Sequence, residues 1–125
     1  MDYSILIYGT EGTYDRLPQE QQEEVMAGHI ALQEALREKG AFGSARLMPT
    51  SNAVTLKATS EIGQKPTIMD GPFAETKERF LGFYVADFDS LEEAISFAEH
   101  IVSPYVTLEI RPVAWAGGTL GGPPK

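Results

Sequence analysis

The sequence contains no cysteine among its 125 residues, which excludes disulfide bonds, a thiol nucleophile and thiolate metal ligands. It also lacks an apolar run long enough to cross a bilayer, and its first residues carry an aspartate where a signal peptide would carry lysine or arginine. Basic side chains are few, with 10 against 18 acidic ones and a net charge of −8. Because this charge repels phosphate backbones and anionic lipid surfaces, we expect a cytoplasmic protein with no nucleic-acid or membrane partner.

The sequence offers few groups for metal or cofactor chemistry. It has two histidines, and one of them, His100, is expected on the surface at the end of a helix. No glycine-rich phosphate loop joins a strand to a helix. We therefore expect no organic cofactor and no metal site, although a divalent ion held by His29, Asp70 and a glutamate stays open as an alternative.

Alternation and capping signals predict the order β-α-β-β-β-β-α-β. The clearest capping signal is the capping box from Ser90 to Glu93, which predicts the start of the second helix. The predicted strands are 3–8, 41–48, 54–59, 67–70, 80–88 and 105–113, and the predicted helices are 18–39 and about 90–101. Strand 54–59 is expected to return as the hairpin partner of strand 41–48. The order is that of an α+β, ferredoxin-like fold, with two helices on one face of an antiparallel sheet and one inserted hairpin. We expect one domain over residues 1–116 and a flexible Gly/Pro-rich tail over residues 117–125.

The strands predicted at 3–8 and 80–88 carry apolar side chains on both faces, which is typical of strands buried on both sides. Two helices cover one face only, so the other face must meet a second apolar surface. A second copy of the chain is the simplest cover, which predicts a homodimer. The alternative is that a loop or the tail folds back over this face.

The segment from Thr67 to Phe88 is the most distinctive part of the chain. A short apolar run ends at Asp70, and Gly71-Pro72 then predicts a turn, because proline fixes its own φ and restricts the residue before it. Ordinary tight turns also use Asp-Gly-Pro. Turn chemistry alone therefore leaves a structural and a functional interpretation open.

The nine residues that begin at Asp70, DGPFAETKE, resemble the signature of the DGPF branch of the YCII-related (YciI-like) family. The segments 1–9 and 108–113 resemble that family's first and last strands. The resemblance implies a small bacterial protein with a ferredoxin-like fold that pairs into a dimeric α+β barrel. It also implies a cleft with a histidine and an aspartate, which fall at His29 and Asp70 of this chain. The biochemical role is unassigned for most members, so the resemblance says more about fold than about function.

His29 lies on the first predicted helix in line with Val25, Leu32 and Leu36, so its side chain points toward the sheet. One interpretation is a core histidine that hydrogen-bonds a carbonyl or a carboxylate. The other is a general acid or base, because imidazole titrates near neutral pH and a carboxylate can fix its tautomer. The resemblance favours the second interpretation and supplies Asp70 as the partner, although Asp70 alternatively caps its own turn.

Three further residues are candidates for ligand binding. Arg111 shares a face of the last strand with Glu109; it either pairs with that glutamate or anchors an anionic ligand through bidentate hydrogen bonds. Tyr8 and Phe73 are candidates for the walls of a pocket. A tyrosine in a core strand more often serves packing alone, with its hydroxyl hydrogen-bonded.

Together these residues predict a small-molecule site in a homodimer, with His29 as acid or base and Asp70 orienting it. The expected reaction is a cofactor-independent elimination, isomerisation or hydrolysis of a ligand that stays unknown. The resemblance also implies an alternative, a non-catalytic ligand-binding or regulatory module associated with sigma-factor-linked transcription control. A dimer with a vestigial cleft is the third interpretation.

Overall fold

A computed structural model describes residues 1–59 and 61–118 of the chain. Its strands and helices follow the predicted order, with one short helix added after the first strand. They are β1 (Asp2–Gly9), α1 (Thr13–Arg16), α2 (Gln19–Lys39), β2 (Phe42–Arg46), β3 (Val54–Lys57), β4 (Thr67–Asp70), β5 (Arg79–Asp87), α3 (Leu91–Ala98) and β6 (Val106–Pro112). Most of the predicted flexible tail, 119–125, lies outside the described residues. Within the described residues, no helix combines the length and the apolar character needed to cross a membrane.

The main sheet has four antiparallel strands in the order β2-β5-β1-β6. This is an α+β fold, consistent with the predicted ferredoxin-like plan. The predicted pairing of the strands at 41–48 and 54–59 is wrong, because β2 pairs with β5 while β3 pairs with β4 in a separate two-stranded sheet. The backbone N–H and hydroxyl of Thr50 both donate to the Glu11 carboxylate, which holds the chain at the end of the sheet before β3 begins.

The core lies between one face of the main sheet and the helices α2 and α3. Ile5, Leu32, Leu36 and Phe88 are almost completely buried, and burying each such side chain contributes about 1.5–3 kcal/mol. The rest of the buried core is contributed by the two central strands, by α3 and by the turn after it: Ile7, Tyr84, Ala86, Ala94, Ala98 and Ile101.

Local signals fix the ends of the helices. Helix α2 begins after Pro18 and ends before Gly40, whose φ of 148° favours glycine and whose N–H donates to the Leu36 carbonyl. Helix α3 begins at the predicted cap, where the Ser90 hydroxyl accepts from the Glu93 N–H. The Glu93 carboxylate lies 2.6 Å from Lys39 Nζ, which joins the end of α2 to the start of α3.

Helix α2 packs closely against the 3-10 turn Glu99–Ile101. Gly28 makes this approach possible, because a Cβ at that position would overlap the carbonyl oxygen of His100. The next residue along the helix is His29, so this contact also sets the depth at which the imidazole lies above the sheet.

The opposite face of the main sheet, here called the open face, is also apolar. Its centre pairs Leu6 with Phe83 and Tyr8 with Phe80 across β1 and β5, and Val85 lies beside them. The ring centroids of Phe80 and Phe83 are 6.2 Å apart, and those of Tyr8 and Phe80 are 5.6 Å apart. The prediction that these two strands are apolar on both faces is therefore confirmed.

Strands β3 and β4 form a two-stranded arm that extends from the main sheet. Its apolar side chains are largely exposed, with 54% of Val54 and 61% of both Leu56 and Ile68 accessible to solvent. The Gly71 N–H donates to the Ala53 carbonyl at the base of the arm. A two-stranded ribbon is only marginally stable when alone in water. Because its apolar side chains are exposed, this arm would be stabilised by packing against a partner.

Candidate active site around His29

A cavity of about 710 Å³ opens at the end of the sheet where β1 ends and β5 begins. Its volume lies within the range of small-molecule sites. Helix α2, the segment after β1 and the end of β2 surround it. Its walls are mainly apolar and aromatic, and they include Leu17, Val25, Met26, Leu47, Met48, Leu81, Ile101, Tyr14, Phe80, Phe83, Tyr84 and Tyr105.

His29 lines this cavity and is hydrogen-bonded to the strand below it. Its Nδ1 lies 2.8 Å from the hydroxyl oxygen of Tyr84, and the two rings stack with centroids 5.8 Å apart. Gln33, one helical turn after His29, donates its amide N–H to the same hydroxyl at 3.1 Å. Two side chains of helix α2 therefore bond to one hydroxyl of strand β5, and this fixes the position of the imidazole relative to the sheet.

This geometry allows either neutral tautomer of His29. The Tyr84 hydroxyl accepts from Gln33 and still has one proton to give and one lone pair to offer. If Tyr84 donates to Nδ1, Nε2 carries the imidazole proton; if Nδ1 carries it, Tyr84 accepts and Nε2 becomes an acceptor. Within the described part of the chain Nε2 makes no hydrogen bond, so it is available to exchange a proton with a ligand.

Both groups of the pair are neutral near pH 7. Burial lowers the pKa of His29 below its ordinary 6.5, and the positive charge of Arg46 lowers that pKa further. Burial raises the pKa of Tyr84 above 10, partly offset by the hydrogen bond from Gln33. A neutral imidazole is the form that accepts a proton in general base catalysis.

The rim of the cavity is held by Glu11 and Arg79. The Glu11 carboxylate accepts from the backbone N–H and the hydroxyl of Thr50, both at 3.1 Å, and it lies 3.9 Å from Arg79 Nε. Arg79 also donates to the carbonyl of Ala74 and approaches Glu75 at 3.4 Å. The segment 70–78 is thus tied to the start of β5, beside the cavity.

Asp70 lies at the end of β4, opposite Val54 in the arm. It is exposed and does not line the cavity of the single chain, and among the described residues its carboxylate makes no hydrogen bond or salt bridge. Gly71 has a φ of 92°, so the turn requires glycine at this position. In the single chain the hydrogen-bond partner of His29 is therefore a hydroxyl, while the predicted carboxylate lies elsewhere.

The three predicted ligand-binding residues also lie outside the cavity of the single chain. Tyr8 is on the open face beside Phe80. Phe73 is 80% exposed next to the arm. Arg111 is exposed and lies 3.8 Å from Glu109. Among the described residues, no group of three or more histidine, aspartate or glutamate side chains lies close enough together to hold a metal ion.

Among the polar residues of the cavity that were not predicted, three act on His29 directly or through its partner, namely Gln33, Arg46 and Tyr84. Gln33 carried a signal, because it lies four residues after His29 and hence on the same helix face. Arg46 was the one charged residue in a predicted strand whose other residues are each small or apolar. Tyr84 is recognisable only once β5 is known to lie beneath α2.

The chain is similar to known proteins over nearly its whole length. Residues 1–114 match the model of the YCII-related domain, and this range contains every strand and helix around the cavity. An uncharacterised protein of Rhizobium meliloti (strain 1021) is 41% identical over 118 residues, which cover 91% of this chain and 93% of that protein.

Proposed function

The chain belongs to the YCII-related family, and from this premise we propose that it is a small-molecule enzyme in which His29 acts as general acid or base. One observation carries the proposal: a half-buried imidazole lines a cavity of about 710 Å³ and is held at Nδ1 by the Tyr84 hydroxyl. A positioned acid or base of this kind contributes about 10²–10⁴-fold to a rate. The neutral state of His29 suits it for proton abstraction at physiological pH.

The proposed step is a proton transfer at Nε2. In the tautomer with the proton on Nδ1, Nε2 takes a proton from the substrate while the Nδ1–H donates to Tyr84. The bonding electron pair left behind forms a double bond and expels a leaving group, which takes up the Nε2 proton, in an elimination. In an isomerisation the pair moves along the substrate and Nε2 returns the proton to another of its atoms. In a hydrolysis Nε2 takes the proton from water, the water oxygen attacks the substrate, and the proton passes to the leaving group as its bond breaks. Each of these reactions runs without an organic cofactor.

The proposal includes a homodimer of the dimeric α+β barrel type. The apolar open face and the exposed apolar arm support it, because both surfaces gain by contact with a second copy. Tyr8 and Arg111 on the open face, and Phe73 beside the arm, are then proposed to contact the ligand or the partner. Asp70 remains the proposed carboxylate partner of His29, supplied by the second copy, where its negative charge favours the imidazolium that the proton transfer creates.

A ligand screen with matched variants tests the enzyme proposal. Wild type, His29→Gln and Tyr84→Phe are compared for turnover and ligand-induced thermal shift against a panel of small polar and aromatic metabolites. We expect turnover to fall at least about 10²-fold in His29→Gln, and less in Tyr84→Phe, where the imidazole loses its orienting partner but keeps its ring contacts.

His100→Gln is the control, because it removes an exposed histidine whose side chain is not part of the cavity. Its turnover should equal that of the wild type. If no metabolite is converted and none perturbs the His29 imidazole resonances, the catalytic proposal fails. Retained binding of a protein partner by His29→Gln would then support the regulatory alternative.

A further inference from the structure

Arg46 is the one cationic side chain among the described residues that line the cavity. It ends β2, and its guanidinium carbon lies 5.5 Å from the centroid of the Tyr14 ring, a distance at which cation–π attraction acts. Within the described part of the chain it takes part in no salt bridge. A guanidinium stacked on a ring keeps its in-plane N–H groups available for another acceptor.

The acidic residues of the cavity do not neutralise this charge. Glu11 already accepts two hydrogen bonds from Thr50 and lies near Arg79. Asp15, on the short helix α1, is exposed and forms no salt bridge with Arg46 among the described residues. A positive charge therefore remains at one side of a cavity whose other walls are mainly apolar.

We propose that the cavity binds small carboxylic acids with an aromatic or unsaturated body, and that Arg46 holds the carboxylate. The planar guanidinium matches a carboxylate through two parallel N–H···O bonds, which gives orientation as well as affinity. The apolar body then lies against aromatic walls such as Tyr84 and Tyr105. This proposal rests on the proposed function for the role of His29 but assigns a substrate class and an anchor that the acid–base proposal leaves open.

The anchor and the proposed base are coupled through charge. Arg46 is near enough to His29 to lower the pKa of the imidazole. A carboxylate bound on Arg46 offsets that charge, so the pKa of His29 should rise when the acid binds. The acid thereby makes His29 a stronger base only while the cavity is occupied.

Benzoate is the probe, and benzamide is its neutral counterpart of nearly the same shape. Both are titrated into the full-length protein by calorimetry, while NMR follows the His29 imidazole. We expect benzoate to bind the wild type more tightly than benzamide does, and to lose at least about tenfold in affinity in Arg46→Gln, as removal of a bidentate charged contact predicts. Benzamide should bind the wild type and Arg46→Gln with the same affinity. The benzoate affinity of Arg46→Lys should lie between those of the wild type and Arg46→Gln, because lysine keeps the charge but not the planar pair of N–H donors.

Arg37→Gln is the matched control, since it removes the same charge from an exposed position on α2 that does not line the cavity. It should leave benzoate binding unchanged. Equal benzoate affinity in the wild type and a folded Arg46→Gln, or no benzoate binding by the wild type, overturns the proposal.

His29→Gln separates this proposal from the catalytic one. It should keep Arg46-dependent benzoate binding even though it removes the proposed base. Benzoate binding that depends on Arg46, with no turnover of any acid, would leave the anchor intact and refute the catalytic role. If only neutral compounds are turned over, and turnover depends on His29 but not on Arg46, the catalytic role would stand and the anchor would be refuted.

Discussion

At His29, burial and the charges nearby decide which charge state the imidazole prefers. A carboxylate would favour the imidazolium and raise its pKa. The Tyr84 hydroxyl is neutral, and burial and Arg46 both oppose protonation. In the single chain the residue is therefore a neutral imidazole with one nitrogen held and the other available.

This charge state makes the stability of the protein depend on pH. Because the pKa of His29 is lower in the folded protein than the ordinary 6.5, the unfolded chain binds this proton more tightly. The stabilisation that the neutral His29 gives to the folded protein is fully present above about pH 6.5, and it is lost as the pH falls through the pKa that His29 has in the folded protein. We expect urea unfolding between pH 5 and pH 8 to show a smaller loss of stability at acidic pH in His29→Gln than in the wild type. The control His100→Gln should follow the wild-type curve, and identical curves for all three proteins would contradict the low pKa of His29.

A pH titration of the His29 imidazole followed by NMR examines Asp70. If a second copy brings its carboxylate to His29, Asp70→Asn should lower the pKa of the imidazole in the assembled protein, because a favourable negative charge is removed. An unchanged pKa would leave Tyr84 as the sole orienting group.

At the scale of the elements, sequence periodicity predicted much of what each segment does. The spacing of Val25, His29, Leu32 and Leu36 placed the imidazole on the inner face of α2, and the cavity lies there. The capping signal at Ser90 fixed the start of α3. These features depend on residues three or four positions apart, so the local sequence pattern is enough to predict them.

Pairing between distant segments was harder to predict. Alternation predicted β3 as a strand, but alternation is the same whichever neighbour the strand joins. The contact that holds the chain between β2 and β3 joins Glu11 to Thr50, and these residues are 39 positions apart in the sequence. For the same reason Tyr84 could not be assigned to His29, 55 residues away, before the order of the sheet was known.

Gly28 gives a test of the contact that sets the depth of His29. Alanine is the better helix former by about 1 kcal/mol, so propensity alone predicts that Gly28→Ala is stabilising. Its Cβ would overlap the backbone carbonyl of His100, and forcing such groups apart typically costs about 1–3 kcal/mol. We expect the clash to dominate in this rigid contact, with a net loss of up to about 2 kcal/mol in urea unfolding and a shifted His29 imidazole resonance.

Ala27→Gly calibrates this experiment at an exposed neighbouring position, where the expected loss is the propensity term of about 1 kcal/mol. A Gly28→Ala protein more stable than the wild type would show that α2 does not pack against the turn after α3 as closely as described.

For the whole molecule, the distribution of apolar surface is the feature that the helices do not account for. Helices α2 and α3 bury one face of the main sheet, while Leu6, Phe83 and Val85 lie on the other. The arm adds Leu56 and Ile68, which share one of its faces. A net charge of −8 keeps copies apart at long range, so association must come from apolar contact at these two surfaces. A stable dimer typically needs about 800 Å² from each partner, which an open sheet face together with an arm can provide.

The mass in solution tests this proposal, since the chain weighs 13.7 kDa and a dimer should sediment at twice that mass. Val85→Lys places a charge at the centre of the open face and should shift the protein toward the monomer, whereas Leu56→Lys should do so only if the arm joins the interface. Ile30→Lys is the control, because it charges an exposed apolar position on α2, away from both surfaces. A wild type that sediments at 13.7 kDa across micromolar concentrations would refute the dimer. The cavity around His29 would then have to work with the groups of one chain, since Asp70 could no longer reach it from a partner.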